Sequence, residues 1–445
     1  MPEMWRVFWD GLSAPAQDAL VLVILLLPAV LTGFLTLRGY RPWPLIAALL
    51  ARNRWISLTF MLLVAVSVAI TTGLTSQERA LREGAARAAE KFDLVVTAPG
   101  SDVSMMLASV YLQPADTALL DGETYNWIAG NERVTLAAPI AFGDSYKGAP
   151  LVGTTPDFVT HLASGALAEG QNLTSLFDAV AGARVPANVG DVIEPTHGVP
   201  ESFLAPASDA LSHGVGYRIT GKLPPTGSPW DRAVLVSVES VWEIHGLANG
   251  HGPDWDGTLG PPFDADRFPG TPAILVQADE RWANFTLRSE LSSERTMAFL
   301  PGAVLARLYV LLGDVREMLS LLAFLTQLLV TVGIFVGLTL LTRLLAKRLA
   351  LLRALGAPAR FIFALTWGFA ATLIGLGAGV GLGLGLGTAE LISAVVTART
   401  DILVEARLGW SELHLVAGFL SITAILALIP AAMTMARPVM DDLRG

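Results

Sequence analysis

The 445-residue chain has no cysteine, which excludes disulfides, thiolate metal sites and cysteine catalysis. Charge is scarce as well. Only 16% of residues are charged and 53% are hydrophobic, too apolar a balance for an ordinary soluble protein. No Gly-x-x-x-x-Gly-Lys-Ser/Thr segment is present to cradle nucleotide phosphates, and the glycine run from Gly375 to Gly387 has no lysine and lies in an apolar stretch. A nucleophile elbow or similar hydrolase signature is also missing, so the sequence does not read as an enzyme.

The charge that is present is partitioned. Ser76–Glu317 holds 16 Lys/Arg and 30 Asp/Glu, against 14 and 9 in the remainder. An acidic, fairly polar module is thus set apart from a basic, apolar remainder. Its sign argues against nucleic acid as a partner.

A helix needs about 20 apolar residues to cross a bilayer. Five stretches qualify: 18–37, 56–75, 318–341, 361–387 and 413–433. The first is interrupted by Pro28 and Gly33; it reads as a span, with a re-entrant or interfacial helix as the alternative, rather than as a signal peptide. The segment 38–55 carries Arg38, Arg41, Arg52 and Arg54 without an acid, and 342–360 carries Arg343, Lys347, Arg348, Arg353 and Arg360, again without an acid. Positive-inside topology makes both cytoplasmic, so the N-terminus and the module 76–317 lie outside and the C-terminus inside. No charged residue sits at the centre of any span, which argues against a proton relay or ion path.

The module reads as α+β. Helices at each end, Gln77–Lys91 and Gly302–Glu317, continue the flanking spans as stalks. Between them, Asp93–Thr97, Arg133–Ala138, Pro150–Gly153, Gly216–Gly221, Ala233–Ser237 and Pro272–Gln277 read as strands. Asp157–Leu167 and Val238–His245 read as helices, and His251–Gly270 as an exposed loop.

Four features in order resemble the FtsX-like, MacB-type (type VII) family of ABC transporter permeases. They are the basic helix Pro44–Arg54 before a span, the large insert, Arg353-Ala-Leu-Gly-Ala before a glycine-rich span, and a terminal Pro430…Arg437-Pro438…Leu443-Arg444. Asp93-Leu-Val-Val and the stretch Gly221–Val234 add to the likeness. The departure is at the front, where 18–37 adds a fifth span to the usual four. The resemblance implies an α-helical membrane protein of the bacterial inner membrane with an extracytoplasmic α+β domain inserted between its second and third spans. The implied domain limits are 1–37, 38–55, 56–75, 76–317, 318–341, 342–360, 361–387, 388–410, 411–434 and 435–445. It implies a homodimer bound to two ATPase subunits, which would hold the ATP and magnesium. A periplasmic protein or lipoprotein is a further candidate partner.

Under that resemblance, Arg52, Arg54, Arg353, Leu355, Gly356, Ala357 and Arg360 are the candidate ATPase-coupling residues. The bland alternative for the basic loop is topology-setting charge. Gly375, Gly379, Gly383 and Gly387 share one helix face and are candidates for close packing, either at a sliding or dimer interface or statically within one subunit. His245, His251, Asp254 and Asp256 are candidates for a metal site, since imidazole and carboxylate suit zinc. The expected function is mechanical: ATP hydrolysis in a partner drives extracytoplasmic movement that extrudes or releases a lipid, lipoprotein or peptide. Regulation of a periplasmic cell-wall hydrolase or sensor, and zinc uptake, are the alternatives.

Overall fold

The computed structural model describes residues 6, 9–113, 115–197, 214–280, 282–311 and 313–436. The terminal motif beyond Ala436 lies outside the described residues.

Along the chain come helices α1 (Ala14–Leu37), α2 (Trp43–Arg52) and α3 (Arg54–Ala89). Strand β1 (Leu94–Thr97) precedes α4 (Asp102–Ser109), α5 (Gly122–Ala129), β2 (Val134–Pro139), β3 (Asp144–Tyr146) and β4 (Ala149–Thr154). Next are α6 (Pro156–Leu162), β5 (Glu169–Gly170), β6 (Asp178–Ala181), β7 (Val192–Ile193), β8 (Thr196–His197) and β9 (Tyr217–Lys222). Then follow β10 (Val234–Ser237), α7 (Val238–Ile244), β11 (Ala273–Ala278), α8 (Ala283–Glu290) and β12 (Met297–Phe299). The chain closes with α9 (Pro301–Leu311), α10 (Gly313–Ala354), α11 (Ala359–Thr400), α12 (Trp410–Leu426) and α13 (Leu428–Ala436).

Two compact units result. A helical unit takes Met1–Ala80, Asp314–Ser393 and Glu405–Gly445, and an α+β unit takes Leu81–Gly313 and Ala394–Val404. Among the described residues, Ala14–Leu37, Arg54–Ala89, Ala359–Thr400 and Trp410–Met435 are long and apolar enough to cross a membrane. The expected span 318–341 falls within the 42-residue α10, whose described residues include the apolar stretch Phe324–Leu340.

In the helical unit, α1 lies along α12. The His414 imidazole donates to the Asp18 carbonyl at 2.9 Å, and Ser421 Oγ donates to the Leu25 carbonyl. Trp367 of α11 donates its indole N–H to the Ala424 carbonyl at 2.9 Å. From α3, Ser67 and Thr71 reach the Gln327 side-chain oxygen of α10 at 3.0 and 3.3 Å. Where α12 begins, Glu412 is buried, accepting from Arg79 at 2.9 Å and from the Gly409 N–H at 2.9 Å. That pairing ties the start of α12 to α3.

The α+β unit has a four-stranded sheet in the order β12-β1-β11-β2, antiparallel throughout. An eight-stranded mixed sheet runs β5-β9-β6-β10-β4-β3-β8, with β7 also paired to β9. Its parallel pairs are β10 with β4 and β6 with β9. The six strands read from sequence coincide with β1, β2, β4, β9, β10 and β11 to within a residue or so at each end. One core gathers around Trp230, which is fully buried, stands 5.6 Å from Phe92 and 5.4 Å from Phe158, and donates to the Val110 carbonyl at 2.9 Å. A second gathers Tyr125, Trp242, Phe263 and Phe268.

The expectation of an exposed loop at His251–Gly270 needs correction. Phe263 and Phe268 plunge into the second core, and His251 is buried, stacked at 4.7 Å on Trp255. Two buried phenylalanine rings among the Gly, Pro and Asp residues outweigh the turn-like composition, because each ring buries a large apolar area.

Candidate functional site

The basic turn is built by its backbone. Helix α10 stops because Gly356 takes φ +99°, a left-handed conformation open to glycine without strain. The Ala357 N–H then donates to the Leu352 carbonyl and the Gly356 N–H to the Arg353 carbonyl, both at 3.0 Å. This is the full Schellman pattern of helix termination. Pro358 follows, and its carbonyl accepts the first bonds of α11 from Phe361 and Ile362. The 356 and 358 positions thus fix a sharp, two-way reversal.

Beneath the turn is an apolar cluster of Ile46 from α2, Leu349 from α10, and Ile362, Leu365, Phe369 and Leu373 from α11, with Leu352 and Ala357 packed on it. Ile46 sits against Gly368, where an added Cβ would come within 2.8 Å of its Cδ1. The basic helix and the turn, two separate candidates in the sequence, are therefore one packed body. Arg52, Arg54 and Arg360 are exposed, Arg353 and Ala357 half-buried. Leu355, at the apex, is 77% exposed, the highest value among the exposed large hydrophobics of the described residues.

The glycine face of α11 resolves into two. Gly377, Gly381 and Gly385 are buried against α3, where an added Cβ would lie 2.8, 2.5 and 2.9 Å from the carbonyl oxygens of Met61, Ala65 and Ala69. Gly375, Gly379, Gly383 and Gly387 have open space within 4 Å. Static packing within this chain therefore falls to the first set and not to the four glycines put forward from sequence.

Helix α11 also outruns its apolar stretch, continuing from Gly387 to Thr400. Beyond it, the strap 401–404 docks inside the α+β unit. Asp401 is buried and accepts from Arg232 at 3.0 Å, with Arg184 at 3.7 Å. The Leu403 N–H donates to the Gly227 carbonyl at 3.1 Å, and Gly84 leaves room for the Leu403 carbonyl. The receiving turn is organised by Asp231, whose carboxylate accepts from the N–H of Thr226 at 2.7 Å, its hydroxyl at 2.7 Å and the N–H of Gly227 at 2.9 Å. Sequence reading marked Gly221–Val234 only as a family-like stretch and passed over Asp401. A lone acid beside mixed charges carries no spacing signal that could have found it.

His245, His251, Asp254 and Asp256 do not converge. His251 turns inward to Glu239 at 3.3 Å, and the same Glu239 oxygen accepts from the Gly260 N–H at 2.6 Å. Asp256 accepts from the Thr258 N–H of its own loop at 2.9 Å, which holds its carboxyl below the usual carboxylate range, and Asp254 is exposed. His245 lies instead beside Asp144 and His197.

No family profile and no curated protein matches the chain. Among solved structures it is similar to the periplasmic region of MacB from Actinobacillus actinomycetemcomitans, at 11% identity over 50% of this chain and 94% of that one, with a TM-score of 0.29. It is also similar to the extracellular domain of YknZ, a noncanonic ABC-type transporter from Gram-positive bacteria, at 10% identity over 46% of this chain and 98% of that one, with a TM-score of 0.27.

Proposed function

We propose that the chain is the permease subunit of an ABC transporter complex, taking mechanical input from a separate ATPase at the Leu355 turn. The observation that carries the reading is the turn itself. A bare leucine stands at the apex of a backbone-locked reversal, flanked along the chain by Arg353 and Arg360, and the turn is seated on a cluster that includes the α2 helix. Buried apolar anchors in a polar rim are how protein interfaces concentrate their binding energy. Topology-setting charge explains the arginines but not a locked, exposed leucine.

In this reading the arginine-rich ends are cytoplasmic, the α+β unit extracytoplasmic, and the chain crosses the bacterial inner membrane five times. Two ATPase subunits, holding the ATP and magnesium, engage two copies of the permease. Their closure displaces the turn and α2 together. Helix α11 leaves the turn as 42 continuous residues, about 63 Å at 1.5 Å per residue, and ends at the Asp401 strap. Helix α3, 36 residues without a break, is the second rod. Movement of the α+β unit then extrudes or releases a lipid, lipoprotein or peptide that never enters a pore, in keeping with spans that lack central charge.

The test is co-purification of the chain with its ABC ATPase. The native chain is expected to retain two ATPase subunits per two permeases, and Leu355→Asp to lose them. Leu247→Asp, at an exposed apolar position of the α+β unit, is the control and is expected to retain them. Full retention by Leu355→Asp would remove the anchor on which the reading stands.

A further inference from the structure

We propose that Asp144, His197 and His245 form a binding site for a divalent transition-metal cation of the zinc class, in the α+β unit. The three come from separate segments. Asp144 and His197 are directly opposed cross-strand partners of the antiparallel β3–β8 pair, and His245 caps the C-terminus of α7. Their ligand atoms all lie within 4.8 Å of one another. Asp144 Oδ1 stands 3.3 Å from His197 Nδ1 and 3.8 Å from His245 Nε2. A tetrahedral zinc with bonds of about 2.0–2.2 Å spaces its ligand atoms about 3.3 Å apart, so only small side-chain adjustments close the site.

The imidazole of His245 is already prepared. Its Nδ1–H donates to the Val241 carbonyl at 2.7 Å, which turns Nε2 toward Asp144. A backbone carbonyl on the far nitrogen is the usual outer-shell support of a metal-binding histidine. Gly143 allows the ring to come this close: a Cβ there would meet Nε2 at 3.1 Å. The Asp144 carboxylate is fully buried, so its charge calls for a cationic partner there. Two imidazoles and one carboxylate suit zinc in preference to calcium or magnesium. The His197 side chain is 58% exposed, leaving the outer side open for water or a fourth ligand. The ion would pin edge strand β8 to β3 and α7.

The experiment uses the full chain in nanodiscs, stripped of metal by a chelator and titrated with Zn²⁺ by calorimetry, and with Co²⁺ by visible absorption. One equivalent of Zn²⁺ per chain, a tetrahedral Co²⁺ spectrum and no competition by Ca²⁺ are expected. His197→Gln and Asp144→Asn should each weaken binding about 100-fold or more, while His251→Gln leaves it unchanged. His197 lies at the surface, so its variant keeps the fold. Absence of binding at millimolar Zn²⁺ would reduce the cluster to a histidine–carboxylate ion pair and overturn the proposal. Equal affinity in the native chain and His197→Gln would also overturn it. Neither result bears on the Leu355 turn, so this proposal and the proposed function fail independently.

Discussion

In the helical unit, the contact between α3 and α11 rests on Gly377, Gly381 and Gly385, with carbonyl oxygens where side chains would otherwise stand. In the α+β unit the corresponding places hold the largest side chains, with Trp230 and Tyr125 fully buried. Under the proposed membrane reading, the difference follows from the solvent each surface meets. Between helices in lipid there is no hydrophobic drive, so attraction comes from backbones packed closely enough for dispersion. In water, aromatic area removed from solvent is the larger gain, at about 25 cal/mol per Å². Polar groups differ in the same way. Some hydroxyls in the helical unit bond back to their own helices, as Thr72 and Thr372 do, and others, as Ser67 does to Gln327, join two helices, whereas Asp231 and Asp401 organise whole turns and straps.

The comparison can be broken most directly at its two extremes. Trp230→Ala should cost the α+β unit about 4 kcal/mol through the cavity, with the bond to Val110 lost as well. Hydrogen exchange should quicken at β10 and leave α11 as protected as before. Gly381→Leu should cost the helical unit about 3 kcal/mol, because the Ala65 backbone cannot yield as a flexible side chain would. Gly379→Leu, two residues away on the open face, should change stability by less than about 0.5 kcal/mol in the isolated chain. Equal damage from both glycine variants would mean that both faces are packed.

Smaller effects sharpen the electrostatic half. Asp401→Asn should loosen the strap by about 2 kcal/mol, since two arginines lose a charged partner that is itself buried. Faster exchange at the Leu403 amide is the readout. Asp121→Ala should cost about 1 kcal/mol at pH 7, through loss of the cap on α5. The Thr124 bonds depress the Asp121 pKa below its ordinary 3.8, so the stabilisation is complete above that value and disappears as pH falls through the lower, folded one. The native and Asp121→Ala proteins should accordingly converge in stability at strongly acid pH.

Much of this fold was legible from residue patterns. Long apolar runs gave the helices, and β-branched clusters such as Leu94-Val-Val-Thr and Val234-Leu-Val-Ser gave the strands. Strand β6 escaped because Asp178-Ala-Val-Ala is short and small; its place between β9 and β10 is set by neighbours. The Leu355 turn was readable because Gly356 and Pro358 act locally through φ and a missing N–H. Which glycine face of α11 meets α3 was not readable, since both faces carry the same four-residue spacing. The Asp144–His197–His245 cluster was missed because strand register and a helix end bring together residues far apart in sequence, and proximity along the chain pointed to His251 instead.

ATP hydrolysis by the partner ATPase, reconstituted with the chain in nanodiscs, tests the central claim most directly. Native chain should raise the rate above that of the ATPase alone, Leu355→Asp should abolish the increase, and Leu355→Met should restore it. An undiminished increase with Leu355→Asp, or transport activity by the chain without any ATPase, would contradict the account.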